Sequence, residues 1–270
     1  MIQAINPVRK YTRPDGLPHM FCPGCGCGQI MNFFLQAVDD LGINPKNLVG
    51  IGGVGCAARI PIYMEMDALH GVHGRTLGWA SGIKMQNPDL DIVIFAGDGD
   101  AASIGGNHFI QAARRNLDVT FIIVNNLNFA MTGGQVAPTT PENLVTMTTP
   151  YGSSEPPLDL CELAVTAGAT YVSRWTTSHP HQTIKAFKEA FLHKGFSMVE
   201  VISQCPTHFG RYALGTGDPV KVANWINERS INREEAEKLS KEEKKEKFIL
   251  GKFTEIEEKV YSGSTSYETE

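Results

Sequence analysis

Two short stretches hold the residue types that binding of a charged ligand needs. Gly97-Asp98-Gly99-Asp100 closes one apolar run, and Asn125-Asn126 closes the next. Glycines there let backbone N–H groups approach an anion at the start of a following helix. A diphosphate also needs its charge neutralised, which Mg²⁺ does with octahedral oxygen ligands. Asp98 offers a carboxylate, Asn126 an amide oxygen and Asn128 a backbone carbonyl, leaving positions for two phosphate oxygens and a water. The 28 residues from Asp98 to Asn126 accommodate one turn, one helix and one neighbouring strand. Gly-Asp-Gly alone is a common turn; joined to Asn-Asn at this spacing it points to a cation–diphosphate site.

The second chemistry is sulfur. Cys22-Pro23-Gly24-Cys25 places two thiols on one loop, and Cys56 and Cys205 can complete four ligands. Such a set suits a [4Fe–4S] cluster or a structural zinc, with unliganded thiols as the third reading. Cys27 is close enough to compete with them, whereas Cys161 lies in a helical pattern and reads as a core thiol. Residues 50–55 match G-x-G-x-x-G, yet a nicotinamide site wants an acidic residue about 20 residues on at the end of a second strand. Residues 60–67 offer no clear strand, so the match reads as accidental. His70 and His73 are too poorly spaced for a metal pair. His73-Gly74-Arg75 reads as a polar loop on the same edge, with a phosphate or ring contact and a helix cap both open.

The elements that must position these residues alternate. Strands are expected over 47–51, 91–96, 119–124, 169–172 and 198–203, with amphipathic helices over 29–41, 76–86, 105–115, 158–167 and 180–193. That alternation implies an α/β fold, a mostly parallel sheet with helices on both faces. Ligands collect beyond the carboxyl ends of such strands, which puts Asp98, Asn125-Asn126, Cys56 and Cys205 on one edge.

Composition narrows the class further. Residues 228–270 carry 21 of the 53 charged side chains. This divides the chain into a sparsely charged binding domain, 1–227, and a charged C-terminal extension, 228–270. The extension reads as a solvated helix over 234–247 and a polar tail from 261 that frays, or as a segment lying across a partner. The sparse charge of 1–227 suggests a large surface covered by another subunit. No basic block exists, so nucleic acid is not an expected partner. No apolar run approaches the ~18 residues of a membrane span, and residues 1–18 lack a signal-peptide core. A cytoplasmic location is expected, where six cysteines stay reduced or bind metal.

In combination the motifs resemble a known family, the β (thiamine-diphosphate-binding) subunits of 2-oxoacid:ferredoxin oxidoreductases. The resemblance runs from Phe21 to Gly215 and includes Phe-Cys-Pro-Gly-Cys-Gly (21–26), Gly-Val-Gly-Cys (53–56), His-Gly-Arg (73–75), Gly-Asp-Gly-Asp (97–100), Asn-Asn (125–126), Met-Thr-Gly-Gly-Gln (131–135) and Cys-Pro-Thr-His-Phe-Gly-Arg (205–211). It implies that Cys22, Cys25, Cys56 and Cys205 ligate a [4Fe–4S] cluster and that Asp98, Asn126 and Asn128 hold Mg²⁺. Gly99, Asp100, Ala130, Met131 and Thr132 would line thiamine diphosphate, with Val54, Gly55, Cys56, Ala57, His73, Gly74 and Arg75 near its thiazolium. The glutamate that activates the aminopyrimidine belongs to the α subunit in this family, so no catalytic residue is assigned here.

The resemblance further implies coenzyme A-dependent oxidative decarboxylation of a 2-oxoacid, with electrons passed singly to ferredoxin, or the reverse. The expected partners are an α subunit, carrying a γ domain or accompanied by separate γ and δ chains, and ferredoxin. The 131–135 and 205–211 motifs look most like 2-oxoglutarate enzymes, with 2-oxoisovalerate and pyruvate as alternative substrates. Cys27 stands where many relatives have His, Ala130 where they have Gly, and Gly133 where some have Lys. An ordinary thiamine decarboxylase needs no set of four cysteines. The alternative of another class, an electron-transfer subunit without catalysis, is opposed by the intact Asp98 and Asn126.

Overall fold

A computed structural model describes residues 6–261. Its spine is one eight-stranded sheet: β1 (Leu48–Gly52), β2 (Asp67–His70), β3 (Asp91–Gly97), β4 (Val119–Asn125), β5 (Tyr171–Thr176), β6 (Phe196–Ile202), β7 (Ser230–Asn232) and β8 (Phe248–Glu255). The spatial order is β2-β1-β3-β4-β6-β5-β8-β7. The first six strands pair in parallel, as expected. β4 and β6 are buried at every position, the pattern of strands covered on both faces.

Helices α1 (Gly26–Asp40), α2 (Thr76–Gln86), α3 (Gly106–Arg114), α4 (Leu160–Ala167) and α5 (Pro180–Leu192) supply that cover. The odd-numbered β3 side chains, Val93 and Phe95, pack with α1 and α5. The even-numbered Ile92, Ile94 and Ala96 pack with α2, α3 and α4. Two cores therefore flank the sheet, and α4 is fixed by Asp159, which accepts from the backbone N–H groups of Cys161 and Glu162. Cys161 is fully buried in the second core, as its helical pattern suggested.

Three strands were not legible in the sequence. β2 begins at Asp67, the last residue of the stretch that offers no strand pattern, and β1 reaches it through short 3₁₀ turns rather than a nucleotide-binding helix. The 50–55 glycines serve packing instead: a Cβ on Gly52 would stand 2.1 Å from the carbonyl oxygen of Ala58. The larger difference concerns the charged extension. In place of one helix over 234–247 there are two short ones, Arg233–Glu237 and Lys241–Lys245, each opened by a capping box, and Phe248–Glu255 then pairs antiparallel with β5. The composition changes at 228, but the sheet continues across that point. The polar tail from 262 onward lies outside the described residues. Among the described residues no helix is long and apolar enough to cross a membrane.

Candidate active site

Strand order creates the site. β2 lies on one side of β1 and β3 on the other, so the loops after β1 and β3 diverge and open a crevice at their carboxyl ends. Register sets the level: Gly97 pairs with Val124 and Asn125 with Ile202, so Asp98, Asn126 and Ser203 leave three adjacent strands together. Two π-helical turns start here, Gly99–Ile104 after β3 and Pro206–Gly210 after Cys205, a departure from α geometry that recurs at functional sites.

Asp98 is 1% exposed, and its Oδ2 accepts a 2.6 Å hydrogen bond from Thr139 Oγ1. Burial pushes its carboxyl up to about 7, opposed by Thr139 and by backbone N–H groups that include those of Gly99 and Asn126. An ionised carboxylate held here without a counter-charge is costly; a divalent cation removes the cost. The side-chain oxygens of Asn126 and Asn128 are buried with no donor. One carboxylate with unpartnered amide oxygens is a donor set for a hard cation, so the residues fit Mg²⁺. The sequence reading gave Asn128 a role through its backbone carbonyl; the atom left without a partner is its side-chain Oδ1, while its Nδ2 donates to the Asn126 carbonyl at 2.7 Å.

Asp100 is placed differently from Asp98. Its Oδ1 accepts from Gly74 N at 2.7 Å and Val54 N at 3.3 Å and lies 2.5 Å from His73 Nδ1. Its side chain thereby ties the loops after β1 and β2 to the Gly-Asp-Gly-Asp turn. Burial raises its carboxyl, and the Gly74 N–H and the His73 ring lower it. Two glycines make this approach possible. A Cβ on Gly53 would stand 2.1 Å from Asp100 Oδ2, and Gly74 has φ +71° with its Cβ position 2.6 Å from the Gly105 nitrogen. His73 also lies edge-on to Phe129, with ring centroids 6.1 Å apart. Arg75 turns toward α3, with Nη1 2.9 Å from His108 Nε2. It borders a groove of about 690 Å³ lined by Val72, Trp79, Ile83 and Leu90, to the side of the Asp98 crevice.

The cysteines come together from three loops. Cys25 is the N-cap of α1, whose first residue donates from Gly26 N to the Gln204 carbonyl at 3.1 Å. A Cβ on Gly26 would stand 2.1 Å from Ser203 Oγ, so α1 begins directly against the segment leading to Cys205. Cys56 packs against the core that includes Cys27 and Cys25 and against the small cluster that includes Cys205. Burial, then the neighbouring Cys25, Cys205 and Cys22, push the Cys56 thiol up to about 12. The neighbouring, fully buried Cys27 brings the Cys25 thiol down to about 7 and is itself pushed up by Cys25 and by burial. Among the described residues no three His, Cys, Asp or Glu side chains converge on a point as a single ion requires. Four thiols from three loops, near enough for Cys25, Cys205 and Cys22 to act on Cys56, are a donor set whose chemistry suits a [4Fe–4S] cluster or a structural zinc.

The loop after Asn128 closes the crevice. Ala130 is buried, Met131 and Thr132 are exposed, and Thr132 Oγ1 donates to Gln135 Oε1 at 2.6 Å. A Cβ on Gly134 would meet the side chains of His208 and Tyr212, so this loop lies against the Pro206–Gly210 turn. Gly55 and Ala57 follow β1 beside Cys56, with Ala57 buried. Sequence reasoning missed Thr139, whose hydroxyl contacts Asp98 across 41 residues; nothing in its Pro-Thr-Thr-Pro setting marks it.

Comparison with known proteins agrees with this geometry. Residues 53–201 match the family described as thiamine pyrophosphate enzyme, C-terminal TPP binding domain. The chain is 48% identical to 2-oxoglutarate synthase subunit KorB of Methanocaldococcus jannaschii, over 94% of this chain and 93% of that protein. It is 40% identical to 2-oxoglutarate oxidoreductase subunit KorB of Mycobacterium tuberculosis, over 69% of this chain and 50% of that one. Among solved structures it resembles 2-oxoglutarate:ferredoxin oxidoreductase from Magnetococcus marinus with 2-oxoglutarate, coenzyme A and succinyl-CoA bound. The TM-score is 0.84 at 29% identity, covering 95% of this chain and 87% of that one.

Proposed function

The chain belongs to the β subunits of the 2-oxoacid:ferredoxin oxidoreductases, and from that membership we propose that it carries thiamine diphosphate, Mg²⁺ and a [4Fe–4S] cluster in an enzyme preferring 2-oxoglutarate. The reaction is oxidative decarboxylation of 2-oxoglutarate with coenzyme A to succinyl-CoA and CO₂, two electrons leaving singly for ferredoxin, or its reverse. The observation that carries the reading is one sheet edge that joins a cation-ready carboxylate, Asp98, to four thiols from three loops.

Thiamine diphosphate, when bound, supplies the carbon nucleophile and electron sink that loss of CO₂ from a 2-oxoacid requires. A [4Fe–4S] cluster held by the four thiols would supply a one-electron acceptor. This chain's own residues bind and orient. Asp98, Asn126 and Asn128 hold the cation that neutralises the diphosphate, and Gly99 opens the turn for its approach. Asp100 locks Val54 and Gly74 against that turn and lies against His73 Nδ1. Cys22, Cys25, Cys56 and Cys205 hold the cluster, while Cys27, pushed up by Cys25 and by full burial, remains a thiol.

Residues 1–227 carry these sites, and the extension from 228 braces the sheet through β8. The reading includes an α partner that brings the activating glutamate, with γ and δ functions fused or separate, and a cytoplasmic location where the thiols stay reduced. An anaerobic assay of the assembled complex tests it, using a panel of 2-oxoacids, coenzyme A and a one-electron acceptor. Fastest coenzyme A-dependent reduction with 2-oxoglutarate is expected. A clear preference for pyruvate or 2-oxoisovalerate would overturn the substrate and leave the reaction class.

A further inference from the structure

The face of the sheet that packs on α2, α3 and α4 through apolar side chains also carries a buried polar line across the central strands β5, β6 and β4. Arg174 on β5 and Glu200 on β6 are paired in register, and Arg174 Nε donates to Glu200 Oε2 at 2.7 Å. Glu200 Oε1 accepts from Asn125 Nδ2 at 2.7 Å. Asn125 Oδ1 accepts from Leu127 N at 3.1 Å, and Thr139 Oγ1 lies 3.0 Å from that oxygen and 2.6 Å from Asp98 Oδ2. Arg174, Glu200, Asn125 and Thr139 are each at most 5% exposed. At its outer end Arg174 also donates to Asp159, the N-cap of α4, at 2.6 Å; a buried polar line is no cheaper than apolar packing of the same volume, and the cap accounts for the Arg174 end but not for the end at Asn125 and Thr139.

Its chemistry has a direction. An ionised Glu200 only accepts, so it draws the NH₂ end of the Asn125 amide to itself and turns the oxygen toward the next loop. That oxygen receives the Leu127 N–H and fixes the turn, with Leu127 at φ +63°, that presents Asn126 and Asn128. Thr139 has one proton, which it shares between Asn125 Oδ1 at 3.0 Å and Asp98 Oδ2 at 2.6 Å, so the placing of the amide oxygen bears on the bond to Asp98. We propose that Glu200, Asn125 and Thr139 form a buried positioning relay that aims Asp98 and the Asn126 amide at the diphosphate-bound cation. The proposal rests on the Mg²⁺ reading given above.

The test is the Mg²⁺ midpoint for thiamine diphosphate binding, measured by calorimetry on the assembled, cofactor-stripped complex with Mg²⁺ titrated at fixed thiamine diphosphate. Thr139→Val is expected to raise the midpoint about 10- to 100-fold, the size of one hydrogen bond to a charged acceptor, and Thr139→Ser to restore it. Glu200→Gln, which can present either end of its amide to Asn125, is expected to shift it the same way. A Thr139→Val complex that melts earlier with an unchanged midpoint would reduce Thr139 to a packing residue and overturn the relay. A shift confined to Thr139→Val would overturn the part assigned to Glu200. The Asp98→Ala complex separates the two readings: if its Mg²⁺ requirement is unchanged, the cation assignment itself fails, whereas loss of binding there with no effect at Thr139 refutes the relay alone.

Discussion

Replacing Asp98 with asparagine should make the cofactor-free protein more stable while removing its Mg²⁺-dependent cofactor binding. Burial raises the Asp98 carboxyl from 3.8 to about 7. A carboxyl raised on folding means that the folded state holds its proton more tightly than the unfolded chain. Stability from this group is therefore fully present below about pH 4 and is lost as pH rises through 7. At 1.36 kcal/mol per pH unit, the gap corresponds to about 4 kcal/mol of destabilisation above pH 7. The amide of the Asp98→Asn variant keeps the shape of the carboxylate and never ionises, so the variant should escape most of that cost. The Thr139 hydroxyl and the backbone N–H groups, which already favour the charged form, are included in the value of about 7. For a chain of this size, 1 kcal/mol moves the melting temperature by roughly 2–4 °C, so a shift of roughly 8–16 °C is the upper bound. The assay compares melting of parent and Asp98→Asn complexes in chelator at pH 5, 6, 7 and 8. Taking the difference removes the common contribution of His179, His193 and His208, whose burial lowers them. The variant's advantage should grow from pH 5 to 8 and vanish when Mg²⁺ and thiamine diphosphate are added, because they stabilise only the parent. An advantage that is flat with pH, or a variant less stable than the parent at pH 8, would refute the reasoning.

Three further outcomes follow from named contacts. Anaerobically purified complex should gain about four irons per chain from the cysteine set; Cys205→Ser should lower that iron and Cys27→Ser largely spare it, and stoichiometric zinc without iron would contradict the assignment. Gly53→Ala would place a Cβ 2.1 Å from Asp100 Oδ2, so it should cost about 1–3 kcal/mol by overpacking and weaken thiamine diphosphate binding in calorimetry; unchanged melting and affinity would show that the Asp100 tie does not hold the loop. The isolated β chain should reduce no ferredoxin with 2-oxoglutarate and coenzyme A until the α subunit is added, and turnover by β alone in a stopped-flow assay would exclude a shared site.

The site was legible where chemistry is written in adjacent residues. Gly-Asp-Gly-Asp and Asn-Asn each follow a continuous apolar run, and a run buried on both faces can only be an interior strand whose end faces the crevice. Position along the chain therefore translated directly into position on the sheet edge for Asp98, Asn126, Cys56 and Cys205. The extension was misleading for a related reason. Its Glu and Lys content reports the solvated helices Arg233–Glu237 and Lys241–Lys245, but not that Phe248–Glu255 enters the sheet between β5 and β7, since an antiparallel partner leaves no mark on the sequence of either strand.

The sequence by itself determined the fold class, the edge on which ligands gather and the donor types present there, because these depend on side-chain chemistry and on apolar periodicity, both local properties. Only the tertiary structure decided which donor serves which purpose. Asp98 and Asp100 are two residues apart and identical in type, yet one accepts from the Thr139 hydroxyl and the other from Val54 N and Gly74 N. Thr139 reaches Asp98 across 41 residues, and Glu200 reaches Asn125 across 75. The physical reason is that a hydrogen bond is decided within about 3 Å of space, and the strand register that brings such distant residues together is a property of the whole sheet.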